Sequence, residues 1–460
     1  MTLNSDYDAI VIGTGPGGGI VARDLVDRGK HVLILERGDN NPTKGTLPQM
    51  MSRGWIPGTQ MPVTYSAKPI IRGITTGGTS NFYTATAYPP DYDLLNRYGI
   101  DIRSEVAEIT QELPIGPIDD RLMSPAATLF MRSARELGYD CKKFDKYIYQ
   151  ERCLQNCDSC ILGCPNEAKW NSRMLIDEAV EKGASFIHDA TVKRVLVEDN
   201  TAIGVEYSSH GKTQKVFAQT IIMSAGGIGS PLILRQSGFE GVGENICGDP
   251  LMVVCGEVKG LDGTGKAPPM MTGFHLKKEG IMLSDLHMPR VLKSLFDLHA
   301  FNFNKMNSYA NVIPIMVKVR DELSGKIINN GLINKPITTA DQAKLDLGES
   351  IAQKILRQAG ATETYSSRVM SAHPSGSVKI GEHVDANLQT KYKNLYVCDS
   401  SVYPEPLGLP PSLTILGLGR RLANHITQAD GLSPSQHADH LVESAPISME
   451  GRKDMRPLLQ

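Results

Sequence analysis

The stretch YDAIVIGTGPGGGIVARDLVDRGKHVLILE, residues 7–36, decides the fold. Ala9, Ile10, Val11 and Ile12 form an apolar strand; a glycine turn, a helical run and a second apolar strand ending at Glu36 follow. Strand, turn, helix and strand with glycines at 13, 15 and 18 make the βαβ fingerprint of dinucleotide binding. Gly13 allows the tight turn, Gly15 lets the backbone approach a pyrophosphate, and Gly18 lets the helix pack close to the strand. The helix N-terminus offers its free N–H groups to the phosphates. Glu36 stands where a carboxylate accepts hydrogen bonds from a ribose 2′-hydroxyl. With 44 glycines in the chain the triplet alone is weak, and the flanking strands and acidic residue make it specific.

Around this unit the chain is 460 residues long, with 48 Lys+Arg against 50 Asp+Glu, 41% hydrophobic and 21% charged residues. That composition excludes disorder as the main state and provides for two or three domains, or one large domain with another built into it. A net charge of −2 and the lack of a Lys/Arg stripe argue against a nucleic-acid partner. Residues 1–8 lack the basic region and cleavage site of a secretory signal, which leads us to expect a cytoplasmic protein. The longest weakly charged stretch, 218–234, is broken by Gly226, Gly227, Gly229 and Pro231, so no transmembrane segment is expected.

Further along, 171–182 predicts a helix, 184–207 strand and hairpin turning at 198–201, 220–224 a buried strand and 228–237 a helix. Residues 249–319 read as irregular and β-rich, and 339–360 as helix. The polar, proline-containing tail 433–460 is a loose extension or a strap.

Fingerprint, hairpin and C-terminal segments together resemble the glucose-methanol-choline (GMC) family of flavin oxidoreductases. Four segments carry the resemblance: 7–38; Gly73-Ile74-Thr75-Thr76-Gly77-Gly78-Thr79-Ser80-Asn81; the run 221–231 ending in Gly229-Ser230-Pro231; and 394–404 with Pro411-Ser412-Leu413-Thr414. The resemblance implies FAD, held by Gly13, Gly15, Gly18, Glu36 and Arg37. It places Gly77, Gly78, Thr79 and Asn81 along the pyrophosphate and isoalloxazine, Val192 at the adenine by its backbone, and Asp399, Ser400 and Ser412 at the ribityl and ring end. His373, in Ala372-His373-Pro374-Ser375-Gly376-Ser377, matches the family's catalytic histidine. An imidazole suits the work, since oxidising an alcohol by hydride transfer needs a base for the hydroxyl proton. The family's second catalytic position, usually His or Asn, corresponds to Pro410, which has no side-chain donor or acceptor. Tyr403, His275 or Lys379 could take its role, or His373 could act alone.

Cys153, Cys157, Cys160 and Cys164, with Pro165 after the last, call for separate treatment. In a chain without a secretion signal a local thiol cluster reads as metal-binding or catalytic. Spacing and ligand softness favour a [4Fe-4S] cubane over zinc, with cluster-free thiols or a disulfide as the third reading. A cubane would pass electrons singly to an electron-carrier protein or redox subunit and make the enzyme a dehydrogenase.

The expected fold is therefore α/β: a Rossmann-like FAD-binding domain (1–110, 166–245 and 371–432), a cysteine segment (111–165) and an inserted α+β substrate domain on an antiparallel sheet (246–370). The expected function is oxidation of a CH–OH group of a small-molecule substrate, with electrons leaving through the cluster. The alternatives are an FAD/Fe–S relay subunit, a cluster-free alcohol oxidase or dehydrogenase, and a flavin-dependent lyase or isomerase without net electron transfer. Met252, Met270, Met271, Met282 and Met288 would suit a hydrophobic alcohol, though core packing explains them equally well.

Overall fold

The computed structural model describes residues 5–55, 70, 72–261, 266–306, 308–328 and 332–429; the 433–460 tail lies outside them. The first sheet has seven strands, running in space Ser185–Ile187, Val32–Leu35, Tyr7–Ile12, Lys212–Met223, Thr201–Ser209 and Ala190–Glu198, with Leu395–Val397 also beside Lys212–Met223. Tyr7–Ile12 pairs in parallel with Val32–Leu35 and with the second half of Lys212–Met223. The first half of Lys212–Met223 pairs antiparallel with Thr201–Ser209, so one long strand ties the hairpin to the nucleotide sheet. Parallel strands covered on both faces need apolar side chains throughout. Ile10, Val11, Val32 and Ile34 accordingly have no exposed surface.

Helix Pro16–Asp27 packs on strands Tyr7–Ile12 and Val32–Leu35, and helices Arg173–Glu181 and Ser412–Ala429 pack on that helix. Gly17 is what lets the first of them come so close, because a Cβ there would lie 2.0 Å from the Cys398 carbonyl oxygen. A buried ionic latch fastens the helices: Arg23 and Arg420 both engage Asp24 and Glu112. No helix among the described residues is long and apolar enough to cross a membrane.

The second sheet, also of seven strands, has the spatial order Glu363–Ser366, Pro250–Glu257, Val312–Val319, Ile281–Asp285, Thr272–Leu276, Lys142–Lys143, with Met370–Ser371 beside Pro250–Glu257. All its pairings are antiparallel. Alternation along each strand sorts the side chains. Met252, Val254, Ile315 and Val317 pack under helices Thr339–Gln358 and Pro125–Glu136, whereas Leu251, Val253, Met282 and Met316 join the opposite, separate cluster. Thr338 and Asp341 begin the long helix with a reciprocal capping box. Helix Pro125–Glu136 and strand Lys142–Lys143, read from sequence as part of the cysteine segment, pack with this second sheet. Helix Arg290–His299 lies where the sequence reading put irregular β structure.

Candidate active site

One cavity of about 630 Å³ runs between the two sheets, with the glycine turn at one end and His373 at the other. Gly13 has φ +99° and leaves no room for a side chain, since a Cβ would stand 2.3 Å from the Ser224 carbonyl oxygen. Gly18 packs on Gly13, where a Cβ would meet the Gly13 carbonyl oxygen at 2.0 Å. A Cβ at Gly15 meets nothing within 4 Å, so space opens in front of that residue alone of the three. The helix starting at Pro16 has no side-chain cap, which leaves its first N–H groups to a ligand. Arg37 and Arg72 line the same cavity, where burial above all, and for Arg72 also the nearby Arg37, disfavours their charge. An open glycine cradle, an uncapped helix N-terminus and two adjacent guanidinium groups fit the pyrophosphate of a dinucleotide.

Glu36 lines the cavity, but its carboxylate also knits the first turns together. It accepts from the Thr14 N–H at 3.1 Å, the Thr14 hydroxyl at 2.5 Å and the Gly38 N–H at 2.7 Å. Val192, Gly78, Thr79, Asp399, Ser400 and Ser412 also face the cavity. The strand register slips beside Val192, which leaves backbone there outside the ladder. Asp399 accepts from the Gly226 N–H at 2.8 Å and the Ser230 hydroxyl, so it fixes the start of helix Gly226–Gln236. Gly18, Gly77 and Asn81 do not line the cavity. Gly77 N–H donates to the Thr14 hydroxyl and the Asn81 amide to the carbonyls of Thr76 and Gly78, so both shape the turn that carries Gly78 and Thr79. Thr14, the hub of these contacts, was hidden in the sequence as an ordinary x of the fingerprint.

At the other end His373 follows strand Met370–Ser371, its side chain 30% exposed towards the cavity. Its Nδ1 lies 3.0 Å from Asp249 Oδ2. Burial disfavours the charged form of Asp249, but Lys318, His373 and the Gly408 N–H together hold it below the usual carboxylate range. An ionised Asp249 can only accept, so His373 Nδ1 carries the proton and Nε2 is left as the basic atom. Burial, helped by Lys318, keeps the His373 imidazole pKa below its ordinary 6.5. Asp249 itself sits at φ +43°, a left-handed conformation that places its carboxylate between His373, Lys318 and the Gly408 N–H. Behind it Asp321, paired with Lys335, accepts from the N–H groups of Gly248 and Asp249.

Pro410 lines the cavity, and none of the three candidates to replace its missing group does. The Tyr403 hydroxyl donates to the Pro411 carbonyl, the Lys379 ammonium to the Glu244 carbonyl, and His275 sits edge-on to Tyr88. Lys318, which the sequence analysis did not single out, does line the cavity. Around it the wall is apolar, with Phe82, Leu251, Val253, Met316 and Phe296. Of the five methionines singled out by sequence, Met270 and Met288 reach the cavity; Met252, Met271 and Met282 pack in cores.

Profiles of the N- and C-terminal parts of one family, each described as GMC oxidoreductase, match residues 95–251 and 329–419, together more than half of the chain. The chain is a GMC oxidoreductase. It is an FAD-dependent enzyme acting on CH–OH donors. An uncharacterized protein of Methanocaldococcus jannaschii is 27% identical to it over 430 residues, covering 91% of this chain and 100% of the relative. A long-chain-alcohol oxidase of Arabidopsis thaliana is 21% identical over 521 residues, covering 92% of this chain and 68% of the relative. Among solved structures, pyridoxine 4-oxidase from Mesorbium loti superposes with a TM-score of 0.70 at 15% identity, over 92% of this chain and 99% of that one, a likeness of fold.

In this GMC oxidoreductase the structure does not support the cluster expected of the cysteine segment. Cys153, Cys157, Cys160 and Cys164 are free thiols, and among the described residues no three His, Cys, Asp or Glu side chains stand close enough together to hold a metal. Cys153 belongs to the main core with Cys164 packed against it, and Cys160 is buried too. Burial above all, with the neighbouring thiols, pushes Cys153 up to about 12 and Cys160 up to about 11, so both are protonated at neutral pH. Lys169 pins the loop by donating to the carbonyls of Cys160, Asn81 and Tyr83, and Ile161 reaches the cavity wall. Nothing among the described residues supports a ligand shell for a [4Fe-4S] cluster or zinc, and the inferred electron-carrier partner has no support beyond the spacing it rested on.

Proposed function

We propose that this enzyme oxidises an apolar alcohol to the corresponding carbonyl compound, with His373 as the base and without an iron–sulfur relay. The observation that carries this reading is His373, held by Asp249, in a cavity that is lined by the glycine turn and, around Lys318, by an apolar wall. Gly13, Gly15, Glu36 and Arg37 would hold the ADP half of FAD, Val192 its adenine, Gly78 and Thr79 its pyrophosphate, and Asp399, Ser400 and Ser412 its ribityl and ring end. FAD supplies the acceptor for the hydride. His373 Nε2 takes the hydroxyl proton, Asp249 fixes the ring orientation, and the apolar wall excludes water and holds the chain of the alcohol. The name of the Arabidopsis relatives supports an apolar substrate.

A series of straight-chain primary alcohols tests this. Burial of one methylene contributes about 0.8 kcal/mol, so kcat/KM should climb roughly tenfold for every two carbons added until the wall is filled. A flat or falling series would count against the apolar reading. Because neutral imidazole is the working form and its pKa is depressed, flavin reduction should rise with pH through a midpoint below 6.5, which a stopped-flow pH profile measures. For the thiols, anaerobically purified protein is expected to carry FAD with iron near zero, and Cys160→Ser should oxidise alcohol at close to the parent rate. Iron at about four per chain would restore the relay.

A further inference from the structure

We propose that Lys318 is a second catalytic residue, whose ammonium donates to the substrate oxygen while His373 removes the hydroxyl proton. This rests on the alcohol-oxidising reading above and names the group that stands in where Pro410 offers none. The described residues contain four lysines buried to 2% exposure or less, and their partners differ. Lys146 donates to Thr86 and to the carbonyls of Thr84, Pro269 and Met270. Lys169 donates to three carbonyls, and Lys335 to Glu322 and Ser324 besides its ion pair with Asp321. Lys318, 1% exposed, has among the described residues only Asp249 at 3.6 Å, beyond good hydrogen-bond length, although an ammonium carries three donors.

Its place in the sheet explains where the spare donors point. Lys318 lies opposite Leu251 on one neighbouring strand and Met282 on the other, so no cross-strand partner answers its charge. Leu251, Met316 and Lys318 line the cavity together, which makes Lys318 a lone charge on an apolar sheet face. Asp249 touches Lys318, His373 and the Gly408 N–H at once, and so gathers the cation, the base and the Pro410 loop around one point. A substrate hydroxyl there can give its proton to His373 Nε2 while its oxygen accepts from Lys318. FAD, once bound, would accept the hydride with its electron pair as the C–O bond becomes a carbonyl, and Lys318 would keep its proton throughout. Its contact strengthens as negative charge gathers on the oxygen, which is where a fixed donor assists most.

The experiment uses FAD-loaded parent enzyme, Lys318→Met and Lys318→Gln, with two probes: decanoate, a non-reacting anion followed by its perturbation of the flavin spectrum, and 1-decanol under anaerobic conditions. We expect Lys318→Met to keep FAD, to bind decanoate at least about tenfold more weakly while neutral decanamide binds nearly as before, and to reduce its flavin with 1-decanol on the order of 10²-fold more slowly. Should Lys318→Met fail to hold FAD, Lys318→Gln carries the same comparison. Unchanged decanoate binding, no decanoate binding to the parent, or loss of FAD in both variants would overturn the proposal and leave Lys318 a structural ion pair. If no alcohol reduces the parent flavin, the alcohol reading falls, and the decanoate comparison still decides whether Lys318 faces a bound oxygen anion.

Discussion

His373→Ala enzyme should retain its FAD and lose flavin reduction by alcohol on the order of 10²- to 10⁴-fold, the range for removal of a general base. The substitution removes the only imidazole that lines the cavity among the described residues, and with it the atom that receives the hydroxyl proton. It does not orphan Asp249, which keeps Lys318 and the Gly408 N–H, so the fold and the cofactor end should be undisturbed. The loss should fall on kcat with KM little changed, because the apolar wall that binds the chain is intact. Anaerobic stopped-flow bleaching of the flavin measures it. Rapid bleaching at the parent rate would remove His373 from the chemistry.

Gly15→Val should yield folded protein without FAD. Gly15 has φ −64° and ψ 178°, a conformation open to any residue, and a Cβ there meets no protein atom within 4 Å. The added Cβ therefore meets no protein atom and projects into the space we assign to the pyrophosphate. Gly18→Val is the contrast, since its Cβ would drive into the Gly13 carbonyl at 2.0 Å and should destabilise the whole first βαβ unit. Flavin absorbance together with circular dichroism separates the two outcomes: an empty but folded Gly15→Val, and a poorly folded Gly18→Val. Full flavin content in Gly15→Val would displace the cofactor from the first turn.

These contrasts show which levels of the molecule local sequence carries. The nucleotide sheet was legible where its strands carry apolar runs, as at 9–12, 32–35 and 221–223, the first beside the glycine turn, and the hairpin because its turn residues sit between alternating strands. Helix Arg290–His299 was missed because 249–319 was taken as one β-rich block, although Val291, Leu292, Leu295, Phe296 and Leu298 recur at helical spacing. His373 was found through its segment, but its partner Asp249 lies 124 residues away, a juxtaposition that only the paired strands create. Lys318 left a faint signal: in the run Val312–Val319 it is the single charge on a strand otherwise apolar. For the cysteines, spacing records order along the chain and says nothing of depth: Cys153 and Cys160 are buried, Cys157 and Cys164 only partly.

The most direct test of the central claim is a single anaerobic mixing of FAD-loaded enzyme with excess 1-decanol, followed by flavin absorbance and by analysis of the organic product. The account predicts complete bleaching of the flavin with decanal formed in equal amount, and no equivalent bleaching in His373→Ala on the same timescale. A flavin that stays oxidised with every alcohol from ethanol to dodecanol, in protein shown to hold FAD, would contradict it.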